Sequence, residues 1–341
     1  MFQTEINHFF QSFESEWLTS FMRIITALGY AEFFLGFIII MLFAIDFKKA
    51  FLLFIILMWT VAITYIFKDY FSLPRPFHVD NSLAFLDGQL PDEASFEFNR
   101  RGAVGFWQPL SEDVLNEIRK SDHIEYGFPS GHSSVAIAFW GAFALLYRKK
   151  WVVSVCIFLM VLIPISRIYL GVHFLADVIG GIVLGAILLG LFYNRVIIPE
   201  KLLKYINRYK YELWINFETA FLVVAPLTLL FFLPSKVHSL VAFLMGVGLG
   251  FIVQTQKGLP LNDGTILQRL FRTLLAVLVF LMSSFVIQFI LESLNFLSSH
   301  YANFFEVGLG SFFMIWLTIE IAVKVGWYQR PEIPIISDKI T

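Results

Sequence analysis

Charge is what this chain has least of. Only 15% of its 341 residues are Asp, Glu, Lys or Arg, while 58% are hydrophobic. Ordinary soluble domains carry roughly 25% charged residues, so that class is excluded. Cysteine is nearly absent as well. The single Cys156 lies in an apolar run, which rules out an internal disulfide and leaves the role of a small core hydrophobe. A net charge of -1 argues against a nucleic-acid partner. Residues 1–28 lack the basic n-region of a cleavable signal and hold Glu5, Glu14 and Glu16 instead. No Asn-x-Ser/Thr sequon occurs, which favours a bacterial inner membrane over an endoplasmic-reticulum one. Neither an internal repeat nor a low-complexity tract is visible.

What the chain has is 40 phenylalanines, a mean hydropathy of +0.73 and long apolar runs. These fall at about 29–46, 51–67, 131–147, 151–167 and 174–194, then at 213–233, 238–255, 270–291 and 304–323. Each is near the length that crosses hydrocarbon, so the expected fold is all-α: a polytopic bundle of about nine membrane helices. Phe9, Phe10, Phe13, Trp17, Phe21 and Ile24 recur at helical spacing, so residues 1–28 read as an interfacial segment. The expected organisation is a core at 29–195 and a C-terminal membrane extension at 196–341.

Basic residues orient the bundle. Lys48 and Lys49, Arg148 to Lys150, five cations between Arg195 and Lys210, Lys257 with Arg269, and Lys324 with Arg330 mark every second connection. By the positive-inside rule those connections are cytoplasmic. Three charged segments then come to the opposite surface: Lys68 to Pro76, Pro129 to His132, and Ser166 to Asp177. Ionisable groups in such a setting are costly unless they pair or bind something, so they read as a functional site. The hydrophilic stretch 69–129 links two of them and is expected to cap the site. Its acids (Asp87, Asp92, Glu93, Glu97, Glu112, Asp113, Glu117) have no evident reason to cover an anion site. The run Glu112 to Lys120 reads as a short helix.

The residue types point to phosphate chemistry. His173 and Asp177, four apart at a helix start, share one face. A carboxylate on one imidazole nitrogen fixes the tautomer and frees the other nitrogen as a nucleophile. Lys68, Arg75 and Arg167 offer point charge and guanidinium forks for equatorial oxygens. Ser130 and Gly131 open a helix, where free N–H groups favour an anion. His132 stands in that first turn as a candidate general acid.

The pattern K-x6-RP, PSGH and SR-x5-H-x3-D resembles the signature of the type 2 phosphatidic acid phosphatase and vanadium haloperoxidase superfamily. Lys68, Arg75, Pro76, Pro129, Ser130, Gly131, His132, Ser166, Arg167, His173 and Asp177 fill every position, over roughly residues 20–195. The resemblance implies His173 as nucleophile, Asp177 as its orienting partner and His132 as acid. It implies Lys68, Arg75, Ser130, Gly131 and Arg167 as phosphate ligands, with no metal and no cofactor. The texture Lys68 to Pro76 with Glu125 to Pro129 is similar to the sphingosine-phosphate phosphatase branch.

The expected function is hydrolysis of a lipid phosphomonoester or diphosphate through a phosphohistidine on the periplasmic side, with the lumen of the endoplasmic reticulum as the other compartment. Phosphate transfer to another lipid, and non-enzymatic lipid or anion transport, remain alternatives. The expected partners are a lipid phosphate and membrane lipids, with a possible homodimer. Elsewhere, His78 and His123 read as solvated loop residues, and His8, His238 and His300 as interfacial. Tyr126 and Phe77 are candidates for a lipid entrance. Glu320 with Lys324 reads as a self-neutralising i,i+4 pair. Gly246, Gly248 and Gly250 read as a close helix contact.

Overall fold

A computed structural model describes residues 1–88, 102–120, 125–194, 220–233, 235–293 and 299–331. Every element among these residues is helical, apart from one isolated bridge between Gln3 and Gly102. Six described helices are long and apolar enough to cross a membrane: those ending at Val79, Tyr169, Phe192, Lys257, Ser293 and Lys324. The count is seven if Glu16–Ala27 and Ala31–Ile45, bent by 54° at their break, make one span. The protein is an integral membrane protein of the expected all-α class, but nine separate spans are not what the described residues show. Gly131–Tyr147 is a shorter apolar helix, and 213–233 is described only from residue 220.

The chain divides into two compact units, Met1–Leu35 with Ile56–Ile198, and Gly36–Ile55 with Pro199–Thr341. In the first unit, helix Phe47–Phe71 ends where Pro74 and Pro76 follow, since neither proline can continue it. Helix Lys150–Tyr169 is stopped by Gly171, whose φ of 77° lies in the left-handed region. That turn brings His173 to the start of helix Leu175–Phe192. Gly181 and Gly185 then let this helix lie directly on the Ser130 to Ile137 backbone. A Cβ on Gly181 would stand 2.5 Å from the Ser130 carbonyl oxygen, and one on Gly185 would meet the Ser134 carbonyl.

The N-terminal segment departs from expectation. It forms two helices, Glu5–Gln11 and Glu16–Ala27, separated at Ser12–Ser15. Phe9, Phe13, Trp17 and Ile24 are exposed, and the inward side of the first helix is polar. Thr4 donates to Asp80 at 2.7 Å, and His8 lies 2.9 Å from the same carboxylate. Gln11 donates to the carbonyls of Ala84 and Tyr169 at 2.7 and 3.0 Å. Of the stripe only Phe9, Phe13, Trp17 and Ile24 face out: Phe10 and Phe21 pack against the core cluster with Met22 and Tyr169, and the polar side of the first helix ties the segment into the first unit.

The second unit packs helix His238–Lys257 against Ser299–Lys324, and Ile266–Ser293 against Ser299–Lys324. Gly246 and Gly250 face Gly308, Ser311 and Ile315 so closely that a Cβ at either position would collide, as the small-residue reading expected. Gly248 instead faces Leu222. Glu320 is not neutralised by Lys324: it pairs with Lys257 and Arg330, each at 2.9 Å. Cys156 is buried and unbridged.

Candidate active site

The three charged segments converge within the first unit. Lys68, in the last turn of helix Phe47–Phe71, donates through Nζ to the Tyr126 carbonyl. Arg75 opens the short helix Pro76–Val79, and its backbone N–H donates to His78 Nδ1 at 3.1 Å. Its side chain turns to the second segment, donating from Nε to the Glu125 carbonyl at 3.0 Å and from Nη2 to the Glu125 carboxylate at 2.8 Å. Gly127 N–H donates to the Leu73 carbonyl at 2.7 Å, which fastens the two segments together.

Ser130 joins the second segment to the third. Its N–H donates to the Asp177 carbonyl at 2.9 Å, while its hydroxyl accepts from the Ser133 hydroxyl at 3.0 Å and caps the helix that Gly131 begins. His132, in the first turn, has its ring 4.8 Å from that of Tyr30, edge to face. Gly29 is required at the neighbouring turn because a Cβ there would be 2.7 Å from His132 Cδ2.

In the third segment, His173 Nδ1 lies 3.1 Å from Asp177 Oδ2, and the same oxygen accepts from Phe174 N–H at 3.0 Å. Asp177 thus caps its helix and holds the imidazole at once. With Nδ1 on the carboxylate, the Nδ1–H tautomer leaves Nε2 with a lone pair. Burial, and then the charges of Arg75, Lys68, Arg167 and His132, hold the His173 imidazole well below its ordinary pKa range. Arg167 donates from Nη1 to Thr26 Oγ1 at 2.6 Å and to Asp87 Oδ2 at 2.9 Å. Its Nε, like His132 Nε2, is buried with no hydrogen-bond partner among the described residues.

All eight site residues read from the sequence belong to this one assembly. Several others do not appear in that reading. Asp87 accepts from Tyr30 as well as Arg167, the former at 2.7 Å. Asn7, fully buried, donates to the carbonyls of Ile168 at 2.9 Å and His173 at 3.0 Å. The polar spacing Thr4, Asn7, His8, Gln11 was a visible signal for that face, whereas Asp87 offered none. His78 is corrected: it is buried, its ring serving the Arg75 N–H rather than solvent. Phe77 is also corrected, lying in a core cluster with Met22, Leu86 and Tyr169. Glu112–Arg119 is helical as expected. His123, Asp92, Glu93 and Glu97 lie outside the described residues.

Residues 48–197 match the family model of the PAP2 superfamily. Over 72 residues the chain is 42% identical to phosphatidylglycerophosphatase B of Bacillus subtilis strain 168, covering 18% of this chain and 36% of that one. It is 38% identical over 72 residues to lipid A 4'-phosphatase of Porphyromonas gingivalis, covering 21% and 30%. The matched stretches thus span only 30% to 36% of the length of these relatives. The crystal structure of a transmembrane PAP2 type phosphatidylglycerolphosphate phosphatase from Bacillus subtilis aligns with a TM-score of 0.40 at 25% identity, over 56% of this chain and 82% of that one.

Proposed function

From the premise that residues 48–197 are a PAP2 superfamily domain, we propose that the chain is a membrane lipid phosphatase acting through His173. The observation that carries this reading is the buried His173–Asp177 pair, whose imidazole feels the charges of Lys68, Arg75 and Arg167. Lys68, Arg75 and Arg167, with the Ser130 and Gly131 helix start, hold the phosphate oxygens. The unpaired Arg167 Nε donates to one of them. His173 Nε2 attacks phosphorus in line with the departing lipid oxygen, so a P–N bond forms as the P–O bond breaks. His132 gives its proton to the leaving alkoxide and then takes one from the water that hydrolyses the phosphohistidine. Inorganic phosphate and the dephosphorylated lipid leave.

The charge neutralisation that phosphoryl transfer needs is available from the side chains alone. The basic connections support a reading in which the site faces the extracytoplasmic side, which in a bacterial inner membrane is the periplasmic one. The named relatives act on a phosphatidylglycerophosphate and on lipid A, which fits a lipid monoester or diphosphate substrate.

The test is phosphate release from a panel of lipid phosphates by purified protein in detergent. His173→Ala is expected to abolish release while the protein elutes and unfolds like the parent. Retained turnover overturns the mechanism. Free phosphate from a single lipid substrate distinguishes hydrolysis from transfer to a second lipid, and any turnover excludes a purely transporting protein.

A further inference from the structure

The bend between helices Glu16–Ala27 and Ala31–Ile45 turns three residues to the site. Thr26 accepts from Arg167 Nη1 at 2.6 Å, and Gly29 lies against His132 Cδ2. Tyr30 is held at both ends. Its carbonyl accepts from Phe34 N–H at 3.2 Å, and its hydroxyl donates to Asp87 Oδ2 at 2.7 Å, the oxygen that also pairs with Arg167. Between those anchors its ring meets that of His132, 4.8 Å away between centroids with the planes at 90°. A catalytic imidazole is ordinarily oriented by a hydrogen bond to one ring nitrogen, as Asp177 orients His173. His132 is different. Its Nε2 has no hydrogen-bond partner among the described residues, and the ring rests on Gly29 and Tyr30 instead.

We propose that Tyr30 is a positioning residue for His132, its ring holding the imidazole in the orientation from which a proton passes to the departing lipid oxygen. The inference rests on the proposed reading of His132 as the general acid. In that step the P–O bond breaks as His173 Nε2 closes on phosphorus, and the His132 proton goes to the leaving oxygen. An alkoxide departs poorly unless it is protonated as it leaves, so a misaligned acid slows this step above the others. The donor must come within hydrogen-bond reach of that oxygen, about 2.6–3.2 Å, and a ring free to swivel spends little time there. Tyr30 is suited to prevent this, because its hydroxyl is fastened at the far end of a rigid ring. The carboxylate that fastens it is the one that seats Arg167. The acid and one phosphate ligand are thus set from a common point.

The experiment uses the full chain in detergent micelles with two probes, dodecyl phosphate and S-dodecyl phosphorothiolate, which differ only in the bridging atom. A thiolate is a far weaker base than an alkoxide and leaves without a proton, so only the oxygen substrate depends on the acid. The readout is kcat/KM for release of the alcohol or thiol, which ends at the step where the P–O or P–S bond breaks. Tyr30→Leu and Tyr30→Met are expected to lose about tenfold on the oxygen substrate and to stay near the parent on the sulfur one. Both are used, so that a fold lost in one leaves the other to decide. Tyr30→Phe keeps the ring and is expected to keep the parent oxygen-to-sulfur ratio. An unchanged ratio in the Leu and Met variants, or the same fall in Tyr30→Phe as in those two, overturns the inference. His132→Asn separates the two levels of the argument. A loss of about 10² to 10⁴ on the oxygen substrate alone keeps His132 as the acid whatever Tyr30 does, whereas equal losses on both substrates remove the reading on which the inference stands.

Discussion

The side-chain amide of Asn7 donates to the backbone carbonyl of His173 at 3.0 Å, tying the first helix of the chain to the loop that presents the histidine. The same amide donates to the Ile168 carbonyl at 2.9 Å. Asn7→Ala takes this donor from the buried His173 carbonyl, a loss that costs about 1–3 kcal/mol, while the Ile168 carbonyl keeps the Gly171 N–H at 3.1 Å. The expected result is a clear drop in the unfolding midpoint in detergent. A fall of about tenfold in phosphate release should accompany it, because small displacements of a reacting group are expensive. Asn7→Asp keeps the shape but not the donor, and should show both losses. Parent turnover in Asn7→Asp would mean that the bond is incidental to the position of His173.

What could be read from the sequence was whatever lies at a helix start or end. His173 and Asp177 are one helical turn apart, so their pairing followed from spacing alone, and Ser130 at a helix start read equally well. The partners of Asn7, Thr26, Tyr30 and Asp87 could not be found that way, since they lie 57 to 166 positions distant. Their alignment depends on how helices Glu5–Gln11 and Glu16–Ala27 pack, which no local pattern specifies. His78 was misread for a related reason. A histidine after Arg-Pro-Phe looks like loop, but the proline starts a turn of helix that folds the ring back onto the Arg75 N–H. The count of nine spans is not confirmed among the described residues, where apolar length and helix geometry part company at the 54° bend before Ala31 and in the short helix Gly131–Tyr147.

Asp177→Asn tests the orientation of the nucleophile. The amide oxygen can still accept from Phe174 N–H, so the cap and the fold are expected to survive. The carboxylate that holds the Nδ1–H tautomer and stabilises positive charge on the ring is lost. Turnover should fall by about 10³ to 10⁴, the scale seen when a histidine base loses its aspartate. The measurement is release of the dephosphorylated lipid in single-turnover conditions, which reports on the attack step. A loss confined to KM would contradict the assignment.

Asp87→Asn tests the arginine clamp. Arg167 is buried and the Asp87 carboxylate nearly so, at 3% and 9% side-chain exposure, so removing the carboxylate strands a cation away from water. Breaking such a pair typically costs about 3–5 kcal/mol. The variant is expected to unfold at a distinctly lower temperature and to bind inorganic phosphate less tightly, because Arg167 is no longer held with Nε toward the ligand. Added phosphate should recover part of the lost stability, by mass action on the folded state. No recovery would show that Arg167 does not meet phosphate.

Stability should fall on acidification in two separate windows. His173 is held neutral in the fold, first by burial and then by the cations around it, while in the unfolded chain it takes a proton near pH 6.5. Below that value the unfolded state binds more protons, so stability declines as pH drops through 6.5. Asp80 acts lower. Burial opposes its ionisation, but hydrogen bonds from Ser82, Thr4 and His8 outweigh this and bring its pKa from 3.8 to about 2. Its contribution is complete above pH 3.8 and is lost as pH falls toward 2. Unfolding midpoints in detergent from pH 8 to pH 2.5 should therefore fall first near neutrality and again in strong acid. His173→Gln should make the upper fall shallower and Asp80→Asn the lower one, each leaving the other in place. A His173→Gln profile that still falls as steeply through pH 6.5 would mean that this histidine is not held neutral.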